Sequence, residues 1–238
     1  MDLGLAGRMY VVTAGSRGLG YATASALAAE GASTLLVARD HHRLEEARES
    51  LGPGHAILSA DLAHPGTADA IARSVGDIDG ALINVGGPAP GSVLDLGDED
   101  WQAAWEGVMM SPLRLLRALV PRVREGGALL VVLSSTAKEP IAALGASNAL
   151  RPGLGMVVKD LANTLAPRVR VNGILPGRIM TERLSQLGPG ELSQDVPLGR
   201  PGDPEEFGRV AAFLLSPAAS YVTGALIAVD GGLLRSPW

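Results

Sequence analysis

The chain has 238 residues, 47% apolar and 19% charged, which is enough for one large α/β domain with a buried core and excludes a disordered chain. A net charge of −5, few aromatics and no basic block argue against a nucleic-acid surface. The absence of cysteine excludes disulfides, thiolate nucleophiles and cysteine-ligated metals.

The opening Met1-Asp2-Leu3-Gly4 lacks the basic segment and long apolar core of a signal peptide. No apolar run approaches the roughly 20 residues of a membrane helix. A soluble, cytoplasmic protein without membrane or nucleic-acid partners is the expectation. Of the 20 basic residues only Lys138 and Lys159 are lysine, so arginine is the default cation of this sequence.

Short apolar runs alternate with segments of helical period. Met9–Thr13 predicts a buried strand and Leu19–Glu30 an Ala-rich helix. Thr34–Ala38 (strand), His42–Leu51 (helix), Ala56–Ala60 (strand) and a short helix at Thr67–Val75 follow. Next come a strand at Ala81–Val85, one long helical region from Glu99 to Arg124, and the strongly apolar strand Ala128–Leu133. A helix near Leu150–Leu165, a strand at Val169–Ile174, a helix at Pro204–Leu215 and a strand at Ala225–Val229 complete the chain. Fully apolar strands separated by helices imply a parallel sheet buried on both faces. The expectation for residues 1–238 is one α/β domain: a Rossmann-type doubly wound sheet of about seven strands, binding ligand at the strands' carboxyl ends.

Thr13-Ala14-Gly15-Ser16-Arg17-Gly18-Leu19-Gly20 lies between the first strand and the first helix. Glycines there permit a tight turn and close backbone approach, and the helix N-terminus offers free N–H groups to a pyrophosphate. A glycine-rich turn that binds nothing is the alternative. Further motifs follow in order: Asp61-Leu62 after the third strand, Asn84-Val85-Gly86-Gly87 after the fourth, and Arg170-Val171-Asn172 leading to Pro176-Gly177-Arg178-Ile179-Met180-Thr181. The ending carries Pro197–Arg200, Tyr221-Val222-Thr223-Gly224 and Val229-Asp230-Gly231-Gly232.

Taken together these segments resemble the short-chain dehydrogenase/reductase family over nearly the whole chain. The turn is similar to its TGxxxGxG, with Ala14 at the first glycine. Asn84–Gly87 is similar to its NNAG, with Ile83 at the first asparagine. The segment from Arg170 to Thr181 matches its RVN…PGxxxT beside the nicotinamide. The resemblance implies a dinucleotide held by Thr13, Gly15, Ser16, Arg17, Gly18, Leu19, Gly20, Asp61, Leu62, Asn84, Gly86, Pro176, Gly177, Ile179 and Thr181. It also implies a homotetramer or homodimer acting on a small-molecule substrate.

Charge argues the choice of cofactor. A carboxylate after the second strand would favour the ribose 2′-OH of NAD(H), whereas a 2′-phosphate requires cations. Here the strand ends Val37-Ala38-Arg39, and Arg17 lies in the glycine turn. Both positions resemble the basic pair of NADP(H)-preferring relatives, so NADP(H) is expected over NAD(H), with Asp40 as an opposing charge.

The family's usual site has a tyrosine acid, a lysine four residues later, a serine that orients the carbonyl and an asparagine on the long helix. A phenol near pKa 10 acts at neutral pH only beside a fixed cation. This chain offers Ser134 and Ser135 as the serine. Register from Lys159 and Leu165-Ala166-Pro167 places Ser147 at the tyrosine position and Arg151 at the lysine position. A rival register places Leu144 and Asn148 there. The asparagine position is Val108. Neither Tyr10, Tyr21 nor Tyr221 is placed to substitute, and His41, His42, His55 and His64 read as solvated surface residues without metal spacing.

Lys138 is the surviving candidate donor, against the alternative of a surface Lys138–Glu139 pair. Arg151 can bind ribose hydroxyls and stabilise a developing alkoxide, but its pKa is too high for proton delivery. Pro152 suits a first helical turn, which predicts a helix beginning near Ala149–Arg151 with Ser147 or Asn148 as N-cap. Gly153 and Gly155 would then admit a neighbouring subunit's helix. Ser134–Ile141, Leu144 with Ser147-Asn148, Arg151 and Asn84–Gly91 resemble a branch of the family with SSxxKxPI…LSNxxR and NxGGPxxG, making the departures a subgroup pattern. The first expectation is an NADP(H)-dependent oxidoreductase acting on a carbonyl or alcohol with altered proton delivery. A non-catalytic dinucleotide sensor or scaffold, and a lyase or cyclase using Ser135 and Arg151, are the alternatives. The loop Gly87–Gly91 and the segment Glu182–Pro197 should shape the substrate pocket.

Overall fold

The computed structural model describes residues 2–182, 184 and 189–236. Seven parallel strands form one sheet in the order β3-β2-β1-β4-β5-β6-β7. They are β1 Met9–Thr13, β2 Ser33–Ala38, β3 Ala56–Ser59, β4 Ile78–Ile83, β5 Val123–Val132, β6 Val169–Pro176 and β7 Leu226–Val229. The helices are α1 Gly18–Ala29, α2 His41–Leu51, α3 Thr67–Ser74, α4 Asp98–Ala104, α5 Ser111–Leu119, α6 Gly145–Leu165, α7 Pro189–Ser193 and α8 Pro204–Leu215.

Period-two alternation sends successive strand residues to opposite layers. Val11, Leu35, Val37, Ala81, Leu129 and Val131 pack with Leu115, Leu119, Leu154 and Val158 of α5 and α6. Tyr10, Val12, Leu36, Leu82, Leu130 and Ile174 pack with Ala24, Leu27, Leu44, Phe207 and Leu215 of α1, α2 and α8. Both faces are therefore covered, as the continuous apolar runs required. Chain order reverses between β1 and β4, whose ladder runs from Tyr10–Gly80 to Val12–Leu82. A reversal of this kind is the switch point at whose carboxyl edge ligands bind in doubly wound sheets.

Several boundaries differ from expectation. The region after Glu99 is broken: a π-helical turn, Trp105–Met110, separates α4 from α5, and a 3₁₀ turn ends it at Arg122. Pro112 has no N–H to give the preceding turn, so the α ladder cannot run straight through. Strand β4 begins and ends earlier than predicted, and β5 starts at Val123, with a register shift between Ile78 and Gly80. Helix α6 starts at Gly145, with Leu144 as N-cap and Pro152 inside the helix. Its start is fixed from outside: Gly145 N–H donates to Gly91 O at 2.8 Å and Gly91 N–H to Ala143 O at 2.7 Å. A Cβ on Gly145 would lie 2.7 Å from Val93 N, so glycine lets α6 begin against the loop after β4.

Candidate functional site

The glycine turn carries a left-handed residue, Ala14 at φ +48°, where the resemblance expects glycine. Gly15 N–H donates to Val37 O at 3.1 Å and pins the turn to β2. A Cβ on Gly20 would meet Ala14 O at 2.1 Å, so α1 seats directly beneath the turn. Buried Thr13 closes the apex of the crevice: its Oγ1 accepts Asn84 N–H at 2.8 Å and donates to Asn84 O at 2.7 Å. That hydroxyl replaces the missing rungs between β1 and β4. Gly86 has open space where a Cβ would stand, leaving the backbone approachable. Ser16 and Leu19 are half-buried in the same turn, and a Cβ on Gly18 (φ +54°) would lie 3.5 Å from the Thr181 methyl.

The other expected cofactor residues line the same edge. Asp61 is exposed after β3 and accepts Ala63 N–H at 3.0 Å, while half-buried Leu62 receives the Ser111 hydroxyl on its carbonyl. Gly177 N–H donates to Val229 O at 3.0 Å, and its missing Cβ leaves room for Asp230. Ile179 is buried and bridges Gly202. Arg170 and Asn172 belong elsewhere, contrary to the expectation that the whole RVN segment flanks the nicotinamide. Buried Arg170 donates to Leu214 O and Ser216 O at 2.9 Å each, tying the end of α8 to β6. Burial lowers its pKa, and with Val171 N–H donating to Thr223 Oγ1 and Asn172 bonded to Val222 O and Ala225 N–H the three-residue segment is a brace.

Cations gather where β1 and β2 end. Arg39 is exposed directly past β2. Asp40 is the N-cap of α2, its Oδ1 accepting Arg43 N–H at 3.1 Å, and its Oδ2 lies 3.5 Å from Arg43 Nε. The charge expected to oppose Arg39 therefore also orients a further arginine. Arg17 and Arg43 both pair with Glu182, whose carboxyl they hold below the usual range.

At the end of β5, Ser135 is buried and its Oγ donates to Pro176 O at 3.2 Å, while Ser134 Oγ accepts Thr136 N–H at 3.2 Å. Ser147 is buried on α6 with its Oγ 2.8 Å from Thr136 Oγ1. Arg151, one turn further along the same helix face, is buried and donates to Val132 O at 2.7 Å. Thr136 is the member that motif reading missed, because a threonine next to a serine pair carries no signal of its own. Val108 is buried in the π turn and its side chain offers no polar atom to a proton relay.

Several local expectations are corrected. Neither Ser147 nor Asn148 is an N-cap, since both lie inside α6. Asn148 instead clamps Ile141, accepting its N–H at 3.0 Å and donating to its carbonyl at 2.8 Å. Glu139 does not pair with Lys138; its carboxylate accepts the N–H groups of Arg235 (3.2 Å) and Ser236 and so fastens the C-terminal segment to this loop. Lys138 is half-buried there. Gly155 faces inward, where a Cβ would meet Leu226 Cδ1 at 3.1 Å, and does not await another subunit. His55 is half-buried against Thr34 Oγ1 at 2.8 Å, with burial lowering its pKa. Among the described residues no acidic or histidine group could hold a metal ion, and no helix is long and apolar enough to cross a membrane. Of the segment Glu182–Pro197, residues 183 and 185–188 lie outside the described residues.

Comparison with known proteins places this edge in context. The family model described as Enoyl-(Acyl carrier protein) reductase matches residues 13–234. Human Dehydrogenase/reductase SDR family member 4 is 30% identical, the alignment covering 96% of this chain and 88% of the relative. The structure of L-sorbose reductase from Gluconobacter frateurii, complexed with NADPH and L-sorbose, superposes with a TM-score of 0.92 at 34% identity, covering 99% of this chain and 100% of that one. The NADPH-bound short chain oxidoreductase of Pseudomonas aeruginosa PAO1, described as containing an atypical catalytic center, gives 0.91 at 31% identity over 96% and 97% of the two chains.

Proposed function

The chain belongs to the short-chain dehydrogenase/reductase family of oxidoreductases, and from that premise we propose that it is an NADP(H)-dependent enzyme acting on a carbonyl or alcohol through a site that uses no tyrosine. The observation that carries the cofactor choice is the arginine cluster at the ends of β1 and β2. Arg39 stands where an NAD(H) site would present a carboxylate, Arg17 lies in the turn after β1, and Asp40 is engaged by the start of α2. NADPH in the two similar structures supports the same reading.

The residues present fit the group. Gly15, Gly18 and Gly20 would shape a pyrophosphate cradle at the N-terminus of α1, Asp61 and Leu62 would border the adenine, and Asn84, Gly86, Pro176, Gly177, Ile179 and Thr181 would border the nicotinamide end. When bound, the cofactor supplies or accepts the hydride. The chain's own residues do the rest. Ser135 and Ser134 offer hydroxyls to a carbonyl oxygen at the end of β5, Ser135 exchanging its bond to Pro176 O for the substrate. The Ser147–Thr136 hydroxyl pair supplies a further donor at the tyrosine position. A hydroxyl is too weak an acid to yield a proton at neutral pH, so these groups orient and polarise while solvent or Lys138 delivers the proton. Arg151 adds a buried positive charge that favours negative charge developing on that oxygen. Losing a placed acid costs typically about 10²–10⁴-fold in rate, so slow turnover is the expected behaviour.

Two substitutions test this. Arg39→Asp should weaken NADPH binding at least tenfold while leaving NADH within about threefold, the scale of one lost charge-assisted contact plus repulsion; equal losses would refute the 2′-phosphate role. Ser147→Tyr with Arg151→Lys should raise carbonyl reduction, followed by loss of reduced-nicotinamide absorbance. No gain in a folded double variant would mean that the pocket is built for different chemistry.

A further inference from the structure

The cationic corner of the cleft is closed by an anion of the chain's own. Glu182 follows Thr181 in the loop after β6, far in sequence from the glycine turn and from α2. Its Oε2 nevertheless accepts from Arg17 Nη1 and, at 3.1 Å, from Arg43 Nη1. One oxygen shared between two guanidiniums is the arrangement a phosphate oxygen takes between arginines. Arg43 is held toward this corner by Asp40, which receives its backbone N–H and lies 3.5 Å from its Nε. All three side chains are solvent-accessible, so the bond is exchangeable, and the carboxyl is ionised because the two arginines hold its pKa down.

We propose that Arg43 is a third cation of the 2′-phosphate site and that Glu182 is its resident anion, which a 2′-phosphate must displace. This rests on the NADP(H) reading of the cleft. A phosphate monoester carries about −1.5 to −2 charges at neutral pH against one for the carboxylate, so it outcompetes Glu182 for the two guanidiniums. Glu182 therefore lowers the affinity for 2′-phosphorylated nucleotides selectively.

The test is fluorescence titration of the full chain with NADPH and with NADH, for the wild type, Glu182→Gln and Arg43→Gln, each checked for an unchanged melting temperature. Glu182→Gln should tighten NADPH by about two- to fivefold, the scale of an exposed ion pair, and leave NADH affinity unchanged. Arg43→Gln should weaken NADPH about three- to tenfold, again sparing NADH. Unchanged NADPH affinity in Glu182→Gln, or equal changes for both cofactors in either variant, would overturn the proposal. A wild type that prefers NADPH, and loses that preference on Arg39→Asp while Glu182→Gln is inert, would remove this inference alone. A wild type with no preference for NADPH would remove the cofactor reading and this inference with it.

Discussion

Gly20→Ala tests the architecture of the nucleotide cradle. The added Cβ would lie 2.1 Å from Ala14 O, 2.8 Å from Ala14 C and 3.1 Å from Gly15 Cα, whereas ordinary contact begins near 3.4 Å. Relief therefore requires the turn or the helix to move by more than 1 Å. The turn is fixed by Gly15 N–H on Val37 O and by Ala14 in its left-handed conformation. The helix cannot retreat either, because α8 lies against its other side: a Cβ on Gly208 would already meet Ala22 O at 2.4 Å. With both partners held, the cost should fall at the top of the usual overpacking range, about 3 kcal/mol. For a chain of this size each kcal/mol lowers Tm by roughly 2–4 °C, so a drop of roughly 6–12 °C is expected in thermal unfolding. NADPH affinity should fall at least tenfold at temperatures where the variant is folded, since the displaced turn is the pyrophosphate seat. Gly86→Ala, which meets no atom within 4 Å, serves as the control and should change stability by no more than about 0.5 kcal/mol. An unchanged Tm and NADPH affinity in Gly20→Ala would refute the close-approach argument.

Arg170→Ala should strip buried carbonyls at the end of α8 and cost about 3–5 kcal/mol by urea unfolding, while leaving the NADPH dissociation constant unchanged below the transition; a specific loss of cofactor affinity would return this residue to the nicotinamide side. Glu206 is pushed down to about 2, first by its bonds to Arg200 and then by the Asp203 N–H. Its folded value lies below the ordinary 4.5, so its contribution is complete above that value and lost as pH falls through about 2. The Tm difference between wild type and Glu206→Gln should therefore be largest near neutrality and shrink between pH 4.5 and 2; a gap independent of pH would contradict it.

Much of the sheet was legible because its strands are uninterrupted apolar runs, which only burial on both faces explains, and because each motif falls where a strand ends. What escaped depended on partners far away in the chain. Pro152 dominates the local signal and predicts a helix starting beside it, yet the start of α6 is set by Gly145 resting on Gly91–Val93 and by the Asn148 clamp on Ile141. The continuous helix after Glu99 looked uninterrupted by composition, but a π turn breaks it just before Pro112, which withholds an N–H from the ladder. Arg170 shares a motif with residues at the carboxyl edge, and only the register of β6 reveals that it serves the end of α8. The charge of Asp40 looked like an opponent of Arg39 until its role at the start of α2 was visible. Thr136 and Glu182 carry no pattern at all: each acquires meaning from a residue brought to it by the fold.

Hydride transfer is the claim on which the functional account stands. The direct measurement is incubation of the purified protein with NADPH deuterated at the hydride-donating carbon and a panel of small carbonyl compounds, followed by mass analysis of the alcohols formed. The account predicts deuterium on the carbinol carbon of at least one product, formed slowly, and a faster reaction in the Ser147→Tyr, Arg151→Lys variant. Tight NADPH binding with no deuterium transferred to any carbonyl, in wild type and variant alike, would contradict it and favour a nucleotide sensor built on the same scaffold.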